Sequence, residues 1–198
     1  MRNNTKTVLE APGAGLPLIE LWIGRSIFQL KRRLGSRHSF CAQFEAERKQ
    51  IRQSLAACPE DKKGEQVLIP RLRGLEDSSR FWSVWMTLEH LRITNTVFAS
   101  VIKGLTKEQV PTKQASTADV KPTESVGAEV EAAFEASCDH YLAMIDSIPH
   151  LKTSARYAHP WFGPLDGEGW HALAAMHMGI HRRQLALIIE RLQASSRI

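Results

Sequence analysis

Three histidines carry the chemistry for which this sequence can be read. His177 and His181 stand four residues apart in the run from Trp170 to Gln184, which is rich in strong helix formers. At 3.6 residues per turn, positions i and i+4 lie one above the other, so both imidazoles leave the helix on one side. Trp170, Ala174, Ile188 and Leu192 share that side, which must therefore face inward. With eight histidines in 198 residues, this spacing arises by chance in roughly a third of such chains, so it needs company. His90 supplies it from the inward face of a separate helix, in register with Trp82, Met86, Ile93, Thr94, Val97 and Val101. A single core histidine is most simply satisfied by a carbonyl or hydroxyl. Three of them in one apolar core favour a bound cation.

Three neutral imidazoles around a divalent ion leave at least one coordination position open, as in catalytic rather than structural zinc sites. An ion there lowers the pKa of a bound water or thiol toward neutrality. Imidazole suits zinc, nickel, iron and copper alike, and the residues do not choose among them. Competing motifs are absent. Glu168 to His171 reads E-x-x-H but lacks the second copy and the inward glutamates of a di-iron bundle. There is no H-E-x-x-H, serine elbow or P-loop. Trp82, Trp85 and Trp170 recur at helical spacing and read first as core, with Trp85 also a candidate substrate contact. Trp161 and Phe162, on the connector just before the histidine helix, are candidate pocket walls. His159 is a candidate proton carrier or partner to a ligand, against a plain loop contact. Gln184, one turn beyond His181, is a candidate to orient a ligand, against an interhelical or surface hydrogen bond.

The elements that position these residues follow from periodicity. Residues 1–15 mix Asn, Thr, Pro and Gly and read as a loose tail, leaving 16–198 as a single domain. Ile19, Trp22 or Ile23, Ile27, Leu30 and Leu34 predict a first helix stopped by Gly35. Phe40, Phe44, Ile51 and Leu55 predict a second from Arg37 to Cys58, ended by Pro59. Val67 to Pro70 reads as a packed connector, because of its proline and the lack of a partner strand. Asp77, Ser78 and Ser79 offer caps to a third helix over 80–104, and 105–124 reads as a long polar loop, a length that tends to be functional or mobile. A fourth helix spans 125–147 with Val126, Val130, Phe134, Tyr141 and Ile145 on one stripe. A proline- and aromatic-rich connector follows, and Asp166 caps a last helix over 167–194. The predicted architecture is all-α, a four-helix bundle with an additional N-terminal helix.

Composition narrows the class. The charge is +5, from 26 basic and 21 acidic residues, but the basic ones are scattered, whereas a nucleic-acid footprint clusters them. Three cysteines without C-x-x-C pairing fit free thiols in a reducing compartment. No apolar run approaches 18 residues and the start lacks a signal-peptide core, so a cytoplasmic protein with no membrane partner is expected.

His90 within Trp85 to Leu91, the run His159-Pro160-Trp161-Phe162-Gly163-Pro164-Leu165, and His177-Met178-Gly179-Ile180-His181-Arg182-Arg183-Gln184-Leu185 together resemble the DinB-like superfamily of metal-binding four-helix bundles. The resemblance runs over about residues 37 to 195, with the last 40 the most specific. It implies that His90, His177 and His181 are metal ligands, that the ion is zinc or nickel, and that the protein is a homodimer acting on a small molecule. It also implies an activity among thiol-dependent S-transferases, isomerases or metal-dependent hydrolases, with a low-molecular-weight thiol as possible cosubstrate. The alternative classes are a non-catalytic metal-binding or stress-response protein of the same fold, and a metal-free helical interaction module. Fold and metal carry over better than reaction does.

Overall fold

A computed structural model describes residues 8–195. Five helices account for most of them: α1 Leu18–Leu34, α2 Arg37–Ala56, α3 Val84–Leu105, α4 Glu129–Ser147 and α5 Gly167–Ser195. Two antiparallel ribbons accompany them. β1 Val67–Leu68 pairs with β2 Phe81–Trp82, and β3 Tyr157–His159 pairs with β4 Gly163–Leu165. Helix α5 packs against both α2 and α3, and α3 also packs against α4. Side chains close the ring between α2 and α4, where Phe44 stacks on Tyr141 with centroids 4.8 Å apart. Phe44, Ile51, Leu88, Leu91, Phe134 and Ile145 are fully buried along these seams, each stabilising by about 1.5–3 kcal/mol relative to exposure.

The ribbons correct the sequence reading at several places. Val67 to Pro70 does have a partner strand, in Phe81 and Trp82, so the segment before α3 is extended rather than helical. Asp77–Ser79 accordingly forms a separate 3-10 turn, and the cap of α3 is Ser83, whose Oγ accepts the Met86 N–H at 3.1 Å. Trp82 therefore reaches the core from a strand, not from the helix. α2 ends at Ala56, two residues early, and α4 begins at Glu129 rather than Ser125, beyond Gly127. The connector before α5 is a hairpin that carries His159 on β3 and turns through Pro160 to Phe162. Asp166 does cap α5: its Oδ1 accepts the Gly169 N–H and pairs with Arg32, both at 2.8 Å.

Residues 1–7 of the expected tail lie outside the described residues. Beyond them, the Glu10 N–H donates to Asp77 and the Gly13 N–H to Glu76, which fixes the chain ahead of α1 to the loop before α3. Helix α1 itself sits against the hairpin and α5. Phe28 is buried against Phe162, with ring centroids 4.6 Å apart, and Arg25 Nε donates to the Trp161 carbonyl. Glu20 accepts the Gly74 N–H at 2.6 Å and pairs with Arg71. The apolar stripe that predicts this helix points the other way, into solvent.

Candidate metal centre

His90 lies one third of the way along α3, and His177 and His181 lie one turn apart on α5, where α3 and α5 pack together. One ligating nitrogen from each falls within 4.8 Å of the others. The rings are held from outside by aromatic neighbours. Trp82 stacks on His181 at 6.2 Å and 11°, and Phe98 meets His177 edge-on at 5.4 Å. Strand β2 and helix α3 thus fix imidazoles that belong to α5.

Hydrogen bonds select the tautomers. His90 Nδ1–H donates to the Val120 carbonyl at 2.7 Å, which leaves the Nε2 lone pair facing His177 Nε2, 3.2 Å away. Gln184 Nε2 donates to the Ser79 carbonyl at 2.7 Å, which turns Gln184 Oε1 toward His181. His181 Nδ1–H donates to that oxygen at 2.7 Å, and its Nε2 lone pair is left for the cluster. Either a proton on His177 Nε2 or a cation shared by the two nitrogens satisfies that pair. His177 Nδ1 is buried and has no hydrogen-bond partner. Carbonyl and amide oxygens behind imidazole N–H groups are the usual way a protein orients histidines toward a metal and raises their basicity. This donor set fits a divalent ion.

The electrostatics agree. Burial pushes His90 down to about 4. His177 and His181 lie well below the usual imidazole range, because burial and then the neighbouring imidazoles disfavour a proton. Among the described residues no carboxylate joins the cluster. Glu76 is the nearby buried acid: burial would raise it, but Lys121, Thr117 and the Gly13 N–H hold it ionised. All three ligand candidates are thus neutral, so an ion held by them would keep its full charge.

A family model of the DinB superfamily matches residues 43–185, a span that contains all three histidines and runs from within α2 through most of α5. The chain belongs to the DinB superfamily. Among solved structures it is similar to TT2238, a four-helix bundle protein, with 20% identity and a TM-score of 0.55, over 76% of this chain and 98% of that one. At that identity the likeness concerns the fold alone. No curated protein matches the chain. Helix α1 lies ahead of the segment matched to the DinB family.

The three histidines open onto a cavity of about 450 Å³. Its walls come from α1, from the loop around Gly74 to Ser79, from α3 and α5, and from the hairpin turn. Trp161 and Phe162 line it, as does His159. His159 Nδ1 accepts the Trp161 N–H at 3.1 Å, and burial lowers its pKa to about 3, so it is neutral with its proton on Nε2. It is a donor there, not a base. Trp85 is not brought to the cavity. Five residues before His90, it sits about 140° around the helix, and its indole N–H donates to Glu131, which also holds Lys63. Gln184 does not line the cavity and reaches the cluster only through His181.

Sequence reasoning missed three contributors. The Val120 carbonyl and the Ser79 carbonyl have no side-chain signature, although the length of the 105–124 loop marks it as functional or mobile. The third is α1, whose Ile23 and Ile27 wall the cavity. Gln184→Ala removes the acceptor from His181 Nδ1–H and is expected to weaken metal binding by about 10–100-fold. Competition with a chromogenic chelator measures it, and unchanged affinity would remove Gln184 from the site.

Proposed function

We propose that this DinB protein is a metal-dependent enzyme in which His90, His177 and His181 hold zinc or nickel, and that it transfers a small thiol to an apolar electrophile. The observation that carries the reading is the convergence of three neutral imidazoles, two of them with their lone pairs set by a carbonyl and an amide acceptor, at the wall of a largely apolar cavity. When bound, the ion supplies a Lewis acid that makes a thiol or a water available as the anion near neutral pH. Everything else is done by the chain. Trp161, Phe162, Ile23 and Ile27 exclude water and take an apolar substrate. His159 presents Nε2–H to the cavity, a donor for a leaving group that gains negative charge.

The thiol is taken from outside because the chain's own thiols do not serve. Cys41, Cys58 and Cys138 are not among the cavity residues. Burial raises all three, Cys138 to about 12. A cavity of this size also suits an organic ligand rather than water alone. A hydrolase using water is the nearest competitor, and a non-catalytic metal-binding protein the next.

Metal analysis of untagged protein, followed by a thermal-shift panel of small thiols, separates these. A thiol at about 100 times its Kd stabilises by about 2.7 kcal/mol, which for a chain of this size raises Tm by about 5–10 °C. The expected result is that rise in metal-loaded protein and its absence in His177→Ala. Bound metal without any thiol response would move the reading to a hydrolase, and a chain that retains no metal would end both.

A further inference from the structure

Helix α1 carries an apolar face that nothing in the described chain covers. Seven large apolar side chains, from Leu18 to Leu34, are between 51% and 78% exposed, Trp22 among them. They fill roughly half of the helix circumference, while the opposite side is tied down through Phe28. Together they present on the order of 800 Å² of apolar surface, above the few hundred that monomers tolerate and equal to one partner's share of a standard interface. Residues 1–7 contain only Met1 as a large apolar side chain.

We infer that a second copy of this chain covers the face, with the two α1 helices packed antiparallel about a two-fold axis. Ile23, Ile27, Leu30 and Leu34 follow the 4-3-4 spacing of a helix-pairing seam, extended one turn back by Ile19. That seam is self-complementary about its midpoint between Ser26 and Ile27. Ile19 meets the partner's Leu34, Ile23 meets the partner's Leu30, and the two Ile27 side chains meet near the axis, as an isologous contact requires.

A lipid surface is the other occupant that such a face suggests, and the charges argue against it. An interfacial helix keeps its cations beside the apolar face. Two of the four cations on α1, Arg25 and Arg32, turn instead to the body, to the Trp161 carbonyl and to Asp166, which leaves only Lys31 and Arg33 near the face. The contact has a consequence for the cavity. Ile23 and Ile27 belong both to the exposed face and to the cavity wall, so the second copy borders the cavity entrance. Since α1 precedes residue 43, this interface lies outside the segment that makes the chain a DinB protein.

Sedimentation velocity on the full chain at micromolar concentration tests this, with vesicle flotation alongside. The wild-type chain is expected to sediment as twice 22.3 kDa and to stay off vesicles of phosphatidylcholine and phosphatidylglycerol. Leu30→Glu is expected to sediment as one chain with unchanged helical circular dichroism and unchanged metal content, since no metal ligand lies on α1. Mixing Ile19→Cys with Leu34→Cys chains is expected to give a disulfide-linked heterodimer under mild oxidation. A monomeric wild type, a dimer indifferent to Leu30→Glu, or flotation with the vesicles would each overturn the inference. A Leu30→Glu chain that loses its helical signal leaves the cysteine pair to decide, and no cross-link would then overturn it.

Discussion

His177→Ala is expected to strip the metal from the purified, untagged chain, lowering affinity by more than about 100-fold. The floor follows from the fact that removing only a hydrogen-bond partner of a ligand costs 10–100-fold, and here a ligand itself is lost. His177 is also the histidine with the least support, since its Nδ1 has no partner while His90 and His181 are each anchored by a 2.7 Å bond. Replacing it leaves the anchored pair and Gln184 in place, so the fold has little reason to suffer. Elemental analysis of wild-type and variant protein reads the outcome, with circular dichroism as the control for folding. Equal metal in both proteins would remove the three-histidine site and the proposed function with it.

Acid is expected to unfold the chain well before its carboxylates titrate. His159 and His171 are neutral and buried, with pKa values lowered by burial to about 3 and about 4. His171 is additionally held between Tyr141 Oη, which donates to Nδ1 at 2.7 Å, and the Arg37 carbonyl, which accepts from Nε2. In the unfolded chain both titrate near 6.5. Below that value the unfolded state binds more protons than the folded one, so stability falls as pH falls, until the folded pKa values are reached. Two such groups cost about 3 kcal/mol one unit below the ordinary imidazole pKa, against a total of about 5–15. His90, His177 and His181 add to the loss in the same direction. Urea titrations between neutral pH and about pH 5, with chelator present to keep metal out, measure the slope. His159→Gln is expected to flatten it by the contribution of one proton, and a stability independent of pH over that range would contradict the burial of these imidazoles.

Much of the fold was legible because a helix writes its inward face into a local period. Phe40, Phe44, Ile51 and Leu55 on α2, and Val130, Phe134, Tyr141 and Ile145 on α4, are buried as their spacing demands. What failed was pairing between distant segments. Neither Val67–Leu68 nor Phe81–Trp82 is long enough to show an alternation, and each is a strand only because the other lies beside it. The start of α3 was misplaced for the same reason, since Asp77 and Ser78 have the chemistry of caps and the extended pair beyond them moved the helix to Val84. The hairpin of β3 and β4 was hidden inside what composition alone describes as a proline-rich connector.

The sequence by itself determined that His177 and His181 share one helix face and that His90 belongs to the inward face of another, because side-chain direction follows from 3.6 residues per turn. It determined that there is an apolar stripe on the first helix. Only the tertiary structure decided that the three imidazoles meet, that Trp85 turns away from them, and that backbone carbonyls at Val120 and Ser79 set the protons of His90 directly and of His181 through Gln184. It also decided that the stripe on α1 faces out while its edge walls the cavity. The reason is the same in each case. Periodicity fixes which residues share a side, whereas what stands opposite that side depends on contacts between segments far apart in the chain, and a backbone acceptor carries no residue-type signal at all.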